Sequence, residues 1–208
     1  MNRCKQVQLS VLGKLHPVLD LVGEESLFKT WHFDLTIQLS LSVDVSTWLL
    51  QPAQCYLDDE NGNKRIFDGE LISVTDMDSY SSDMKRVKVL LSSRLHRLGK
   101  SGGARFFKEK CFRDIVFEFL KKHHLLEKLK VFFVSDLGIE QFPYIQQFSE
   151  ESDAEFIDRY CHERNWLWVL KTSVSGYDTL YFFKKSVRAL SEHTVHKGVL
   201  GNEKGNCG

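Results

Sequence analysis

Cys161 and His162 stand side by side, and so do His123 and His124. A thiol beside an imidazole can act as a nucleophile when the ring takes its proton. Neighbouring residues of a helix point about 100° apart, however, so Cys161 and His162 would not face each other, and a buried thiol beside an exposed ring is expected. His123 and His124 follow Lys121 and Lys122 at the close of an amphipathic stretch, where cations satisfy the last carbonyls and the helix dipole. Glu150-Glu-Ser-Asp gathers carboxylates suited to acid/base work. No histidine is near in sequence, and these residues have a structural task at a helix start. Lys100-Ser-Gly-Gly resembles a phosphate loop only in composition, because the lysine precedes the glycines. Asp58-Asp-Glu-Asn-Gly-Asn offers oxygen ligands without the spacing or terminal glutamate of a calcium loop, and reads as a turn. Trp166 and Trp168 could stack on bases or sugars, but their alternation with Leu167 and Val169 fits a packed strand. No residue is assigned as catalytic, cofactor-binding or metal-binding. Five scattered cysteines without a Cys-x-x-Cys pair read as reduced thiols and make structural zinc unexpected.

The elements that must position these groups are written most clearly from Tyr144 to Leu170. Tyr144, Gln146 and Phe148 alternate with Ile145, Gln147 and Ser149, as in a strand. Ser152 then opens a helix over 152–165. Its hydroxyl can accept from the N–H three residues on while Glu155 reaches back, a capping box. Asp153 and Glu155 place negative charge at the positive end of the dipole. Phe156, Ile157, Tyr160 and Cys161 form a buried stripe, leaving Asp158, Arg159, His162 and Glu163 toward solvent. Asn165, tolerant of left-handed dihedrals, ends the helix.

Upstream, strands are expected over 6–12, 30–41, 53–57, 65–76 and 84–92. The second is the strongest, with Trp31, Phe33, Leu35, Ile37, Leu39 and Leu41 on one face. Leu19–Glu25 reads as a turn, Ser46–Leu50 as a helical turn, and Asn61-Gly62 as a hairpin signal. Gly69 marks a bulge or a close backbone approach. Regularly spaced turns imply an antiparallel barrel or sandwich. After Gly99-Lys-Ser-Gly-Gly-Ala the pattern changes: Phe112, Ile115, Val116, Phe119 and Leu120 repeat at helical spacing, Leu129–Val134 is a strand, and Leu180–Phe183 pairs with 166–171. The expected division is a barrel over 1–99, a smaller α/β domain over 104–190, and a disordered tail over 191–208.

Lys+Arg and Asp+Glu balance at 28 each, which argues against a nucleic-acid partner. No apolar run is long enough to span a membrane, and the N-terminus lacks a signal-peptide core.

Four segments in order resemble the N-terminal region of VgrG proteins (Rhs element Vgr proteins), the spikes of type VI secretion, and the related hubs of contractile phage tails. They are Val22-Gly-Glu-Glu-Ser-Leu-Phe-Lys-Thr-Trp-His-Phe-Asp-Leu, Arg65-Ile-Phe-Asp-Gly-Glu-Leu-Ile-Ser-Val, Ala104-Arg-Phe-Phe-Lys-Glu-Lys-Cys-Phe-Arg-Asp-Ile and Gln147-Phe-Ser-Glu-Glu-Ser-Asp-Ala-Glu-Phe-Ile-Asp-Arg. The last carries the motif residues Gln147, Phe148, Glu151, Ser152, Asp153, Glu155, Phe156 and Arg159. Asn165 and Trp-Leu-Trp-Val-Leu depart from the glycine and aromatic run usual after the helix, and the proline common near Ser92 is absent.

The resemblance implies a β-rich α+β chain: an antiparallel β-barrel tube domain followed by a smaller α/β domain. It implies a structural part of a contractile injection apparatus, not an enzyme. The family's partners are two further VgrG chains in a trimer, the hexameric Hcp tube and effector proteins. No cofactor is implied, and the expected location is cytoplasmic, with export in the assembled apparatus. The family continues beyond this length into a second barrel, an oligonucleotide-binding fold and a needle, so a truncated or minimal relative is expected, alone monomeric or weakly associating. A prophage tail hub, an effector adaptor and a small hydrolase using Cys161 or His162 stand as alternatives.

Overall fold

The computed structural model of the chain describes residues 4–25, 29–59, 64–79, 82–185 and 198–199. Six strands come first: β1 (Cys4–Val11), β2 (Lys14–Glu24), β3 (His32–Ser40), β4 (Pro52–Asp59), β5 (Lys64–Ser79) and β6 (Met84–Ser92). They pair antiparallel in the order β1-β4-β5-β6-β3-β2, and β2 returns to β1, so the sheet closes into a barrel. Closure removes the unpaired edges that an open sheet exposes. The seam runs from Gln8–Pro17 to Val11–Lys14, and beyond it β2 pairs with β3 past a bulge between Val18 and Asp20.

The interior is built by alternation. In β3, Phe33, Leu35, Ile37 and Leu39 point inward, as their spacing predicts, with Trp31 just before them; Leu41 does not follow, and lies 45% exposed on the rim. Trp31, Phe33 and Phe67 form a ring cluster with centroids 4.7–5.5 Å apart. Gly69 sits at a close approach, where an added Cβ would lie 2.2 Å from the Ser92 carbonyl oxygen. The barrel end beside β3's last residue is covered by the 3-10 turn Ser46–Trp48, whose buried Trp48 packs on His16 at 5.2 Å.

Leu19–Glu25 is not a turn. Leu19–Glu24 is the second half of β2, and Gly23 is there because a Cβ would strike the Phe33 ring at 2.1 Å. A glycine demanded by close packing carries the same letter as one demanded by a turn. The hairpin signal at Asn61-Gly62 lies outside the described residues.

From β6 the chain passes through a 3-10 segment, Arg94–Lys100, into β7 (Arg105–Cys111), α1 (Phe112–Lys122), β8 (Leu129–Phe133), β9 (Gln141–Gln147), α2 (Asp153–Glu163), β10 (Trp166–Thr172) and β11 (Asp178–Lys184). β10 pairs antiparallel with β11, and β11 parallel with β8, while β7 and β9 make a separate two-stranded ribbon. Sequence periodicity misses β7, because Phe106 and Phe107 sit together and only Phe107 turns inward, leaving Phe106 69% exposed. The helices and sheets meet at Phe112, fully buried, which stacks on Tyr160 at 4.5 Å and touches Trp166 and Phe182 edge-on or tilted. A last strand, β12 (Gly198–Val199), pairs antiparallel with Gly23 and Val22 of β2. Apart from it, the tail over 191–208 lies outside the described residues.

Candidate functional site

The eight motif residues meet where α2 begins, in three sets of contacts. The first is local. Ser152 Oγ accepts from the Glu155 N–H at 3.2 Å, and Glu155 accepts from the Ser152 N–H at 2.7 Å, completing the capping box. The Ser152 hydroxyl also donates to the Glu155 carboxylate at 2.7 Å, and this bond first, then the one from the Ser152 N–H, holds the carboxyl below its ordinary pKa. Removing the cap with Ser152→Ala should lower stability by about 1 kcal/mol. A urea titration should show a lower midpoint with an unchanged slope.

The second set faces outward. The Arg159 guanidinium donates to both oxygens of the nearly buried Glu151, at 2.7 and 3.0 Å, and also to Glu163 and the Gln146 carbonyl. Glu151 in turn accepts from the Phe148 N–H at 3.1 Å. Arg159 lies 4.5 Å from the Phe148 ring and 5.5 Å from that of Phe156, so its planar face is used as well as its fork. Arg159 is therefore half-buried rather than simply solvent-facing, and its pKa is raised, chiefly by the bond to Glu151.

The third set faces inward and centres on Asp153, whose exposure is 0%. Gln147 Nε2 donates to Asp153 Oδ1 at 3.0 Å, and Arg105 pairs with the same oxygen at 3.0 Å. Asp153 Oδ2 accepts from Ser101 Oγ at 3.0 Å and Lys122 Nζ at 3.1 Å, and lies 2.8 Å from His123 Nε2. Burial alone would raise the carboxyl's pKa, but the bonds from Gln147, His123, Lys122 and Ser101 outweigh it and hold it low. The Asp153 N–H donates to the Ser101 carbonyl at 2.9 Å, and Gly102 lets the linker lie flat, since a Cβ there would sit 2.3 Å from the Glu151 oxygen.

Asp153 thus does more than start a helix. The chain distance that seemed to deny it a histidine is spanned by α1, whose C-terminal His123 turns to Asp153 rather than only to α1's own carbonyls. His124 takes a left-handed φ of 55° and stays exposed. The sequence places Lys122 and His123 only at a helix end and passes over Arg105 and Ser101, because a strand, a helix end and a linker must fold together before these four residues face Asp153.

Ser101, His123 and Asp153 are the residue types of a hydrolytic triad, yet their geometry differs from one. A triad places the acid on one ring nitrogen and the nucleophile on the other. Here Nε2 faces both Ser101 Oγ, at 2.9 Å, and Asp153 Oδ2. Lys122 donates to both Ser101 Oγ and Asp153, and the serine proton is directed to the carboxylate. The arrangement neutralises a buried charge and offers no relay.

A chain of polar contacts extends from this node to the barrel. Arg97 donates to the His123 carbonyl at 3.1 Å, and also grips Glu70 of β5, which is 2% exposed, through Nε at 2.9 Å. Arg94 makes a forked pair with Asp68 on the same strand, at 2.5 and 3.0 Å. Two short segments, Arg94–Arg97 and Ser101–Arg105, therefore lock the start of α2 to the barrel wall. Beside the joint lies a groove of about 350 Å³ with an apolar floor of Leu95, Leu98, Ile157 and Leu180, and Trp168 Nε1 donating to Asp158 on its side.

The other sequence candidates are scattered. Cys161 is 2% exposed, its thiol pKa pushed far up by burial, while His162 is exposed. Trp166 and Trp168 are half-buried against the core. The acidic turn after Asp58 lies largely outside the described residues. Among the described residues no three His, Cys, Asp or Glu converge.

The family model described as phage tail baseplate hub (GPD) matches residues 24–200. No curated protein sequence matches the chain. Among solved structures, the E. coli c3393 protein, a component of the type VI secretion system, aligns with a TM-score of 0.68 at 21% identity, covering 84% of this chain and 48% of that one. The Shewanella oneidensis prophage MuSo2 43 kDa tail protein gives 0.58 at 18%, covering 84% and 52%. The Francisella PdpA–VgrG complex, half-lidded, gives 0.68 at 13%, covering 89% and 32%. The chain spans about half, or less, of the length of these structures, and the likeness is one of fold.

Proposed function

The chain belongs to the phage tail baseplate hub family, and on that premise we propose that it is the barrel-bearing, N-terminal hub part of a type VI secretion spike of the VgrG kind, seated on the end of an Hcp tube. The observation that carries this reading is the closed six-stranded barrel locked through Glu70, Arg97 and His123 to the α/β unit, because a part that transmits thrust needs a rigid joint. The free rim adds support. At the β1–β2 turn and the end of β3, Leu12, Leu15 and Leu41 are 45–59% exposed, an apolar edge of the sort a stacked ring would cover.

The role is structural and non-enzymatic, with other hub chains, the tube hexamer and effector proteins as partners. The chain is made in the cytoplasm and leaves it in the assembled apparatus. A hub of a prophage tail is the second reading, favoured by the Shewanella tail protein's fold. Alone, the chain is monomeric or weakly associating, and a stable trimer by light scattering at micromolar concentration would refute that.

The decisive experiment is sedimentation velocity with a hexameric Hcp tube protein. Co-sedimentation is expected, and Leu12→Asp with Leu41→Asp should weaken it at least about tenfold. Failure of the wild-type chain to bind the tube protein, or indifference to the rim substitutions, would remove the tube-docking reading.

A further inference from the structure

The outer face of the three-stranded sheet is unlike the rest of the surface. Strand pairing places Leu167 opposite Phe183, Val169 opposite Tyr181, and Tyr181 beside Phe132. The inner-face residues Trp168, Leu180 and Phe182 join the core, so these partners point the other way. Phe132 and Tyr181 stack at 5.4 Å with planes 16° apart. Phe132 and the following Val134 are 50% and 51% exposed. The result is an apolar, partly aromatic strip across three strands that no described element covers.

Lysines bracket the strip. Lys171, Thr179 and Lys130 form one row across the strands at its end, and Lys185 follows Lys184 at the opposite end of β11. All three lysines, Lys130, Lys171 and Lys185, are exposed, and among the described residues none has an ion-pair partner. No carboxylate occupies an outward position on these strands. The acid nearest in register, Asp178, turns inward to Thr172 and Ser93. In a chain whose charges balance at 28 and 28, so one-sided a face is a local feature.

We infer that this face is a docking surface for an acidic amphipathic segment of a partner protein, a helix whose apolar stripe covers Tyr181, Phe183, Val169 and Phe132 and whose flanking carboxylates meet Lys130, Lys171 and Lys185. Aromatic anchors ringed by complementary charge are what a helix-in-strip contact requires. A second copy of the same face is a poor occupant, because two-fold pairing would set lysine against lysine. The surface lies on the α/β unit, apart from the barrel rim, and its use does not depend on tube docking.

The test is fluorescence anisotropy of the full chain with a designed helical peptide carrying leucines on one face and glutamates on both flanks. Saturable binding is expected, about tenfold tighter than to a scrambled peptide of the same composition, and about tenfold weaker for Lys130→Glu with Lys171→Glu. These are exposed positions, so the double variant should melt with the wild type. Tyr181→Ser gives a second reading through the apolar strip. Equal binding of the scrambled peptide, no binding by the wild type, or no loss in the lysine variant would each overturn the proposal. So would capture of phosphatidylserine vesicles by the same lysines with the peptide ignored.

Discussion

Asp153→Ala should lower the unfolding free energy by about 3 kcal/mol, the low end of what breaking a buried ion pair costs. The low end applies because Lys122 and Arg105, 42% and 26% exposed at their side chains, can regain some water once the carboxylate is gone. Gln147 has no such escape, being fully buried with its amide aimed at the missing oxygen. Chemical denaturation at neutral pH checks the magnitude. Asp153→Asn separates charge from shape, and its deficit should depend on pH. The folded carboxyl titrates below its unfolded value, so its contribution is complete above about pH 4, the ordinary aspartate range, and is lost as pH falls through the folded pKa. The gap between wild type and Asp153→Asn should therefore close toward pH 2. A gap that stays constant from pH 7 to pH 2 would mean the charge contributes nothing.

Phe112→Ala should cost about 3–5 kcal/mol, the usual range for deleting a fully buried aromatic side chain. Its ring faces Tyr160 nearly parallel, with Trp166, Phe182 and Phe133 around it, so the void would be walled by rigid rings that cannot easily collapse. Loss of near-ultraviolet circular dichroism should accompany the lower urea midpoint. Unlike the Asp153 deficit, this one should be independent of pH, which lets the two be told apart in the same titration series. A cost below about 1 kcal/mol would show that the aromatic cluster is loosely packed.

How much of this was legible in the sequence follows from how far apart the causes lie. The capping box could be read because Ser152 and Glu155 are three residues apart and act on each other's backbone. The β3 alternation could be read because burial on one face imposes period two. Asn165 announced a helix end, and it does adopt a φ of 56°. Gly23 misled because the ring that demands it, Phe33, is reached only through strand pairing. β7 was invisible because one of its two adjacent phenylalanines faces water. The inward half of the motif was the largest omission. Gln147 and Asp153 are near neighbours, but Arg105, Lys122, His123 and Ser101 arrive from a strand, a helix end and a linker, and only the fold brings their charges to one carboxylate. The resemblance marked the residues as a unit without saying what they bind.

The pairing of β3 with β6, from His32–Ser92 to Ser40–Met84, has a consequence for birth rather than for the finished molecule. β6 is the last barrel strand to be made, so β3 leaves the ribosome long before its outer neighbour exists. The 52 residues from Leu41 through Ser92 take roughly 3–10 s to synthesise at typical rates. For that interval the edge of β3 that pairs with β6 has no partner on the chain, and Phe33, Leu35 and Ile37 lack the inward-facing Val87, Val89 and Leu91 of β6. The nascent chain is then a ready template for a neighbouring chain on the same polysome, and chaperone capture would matter most at that point.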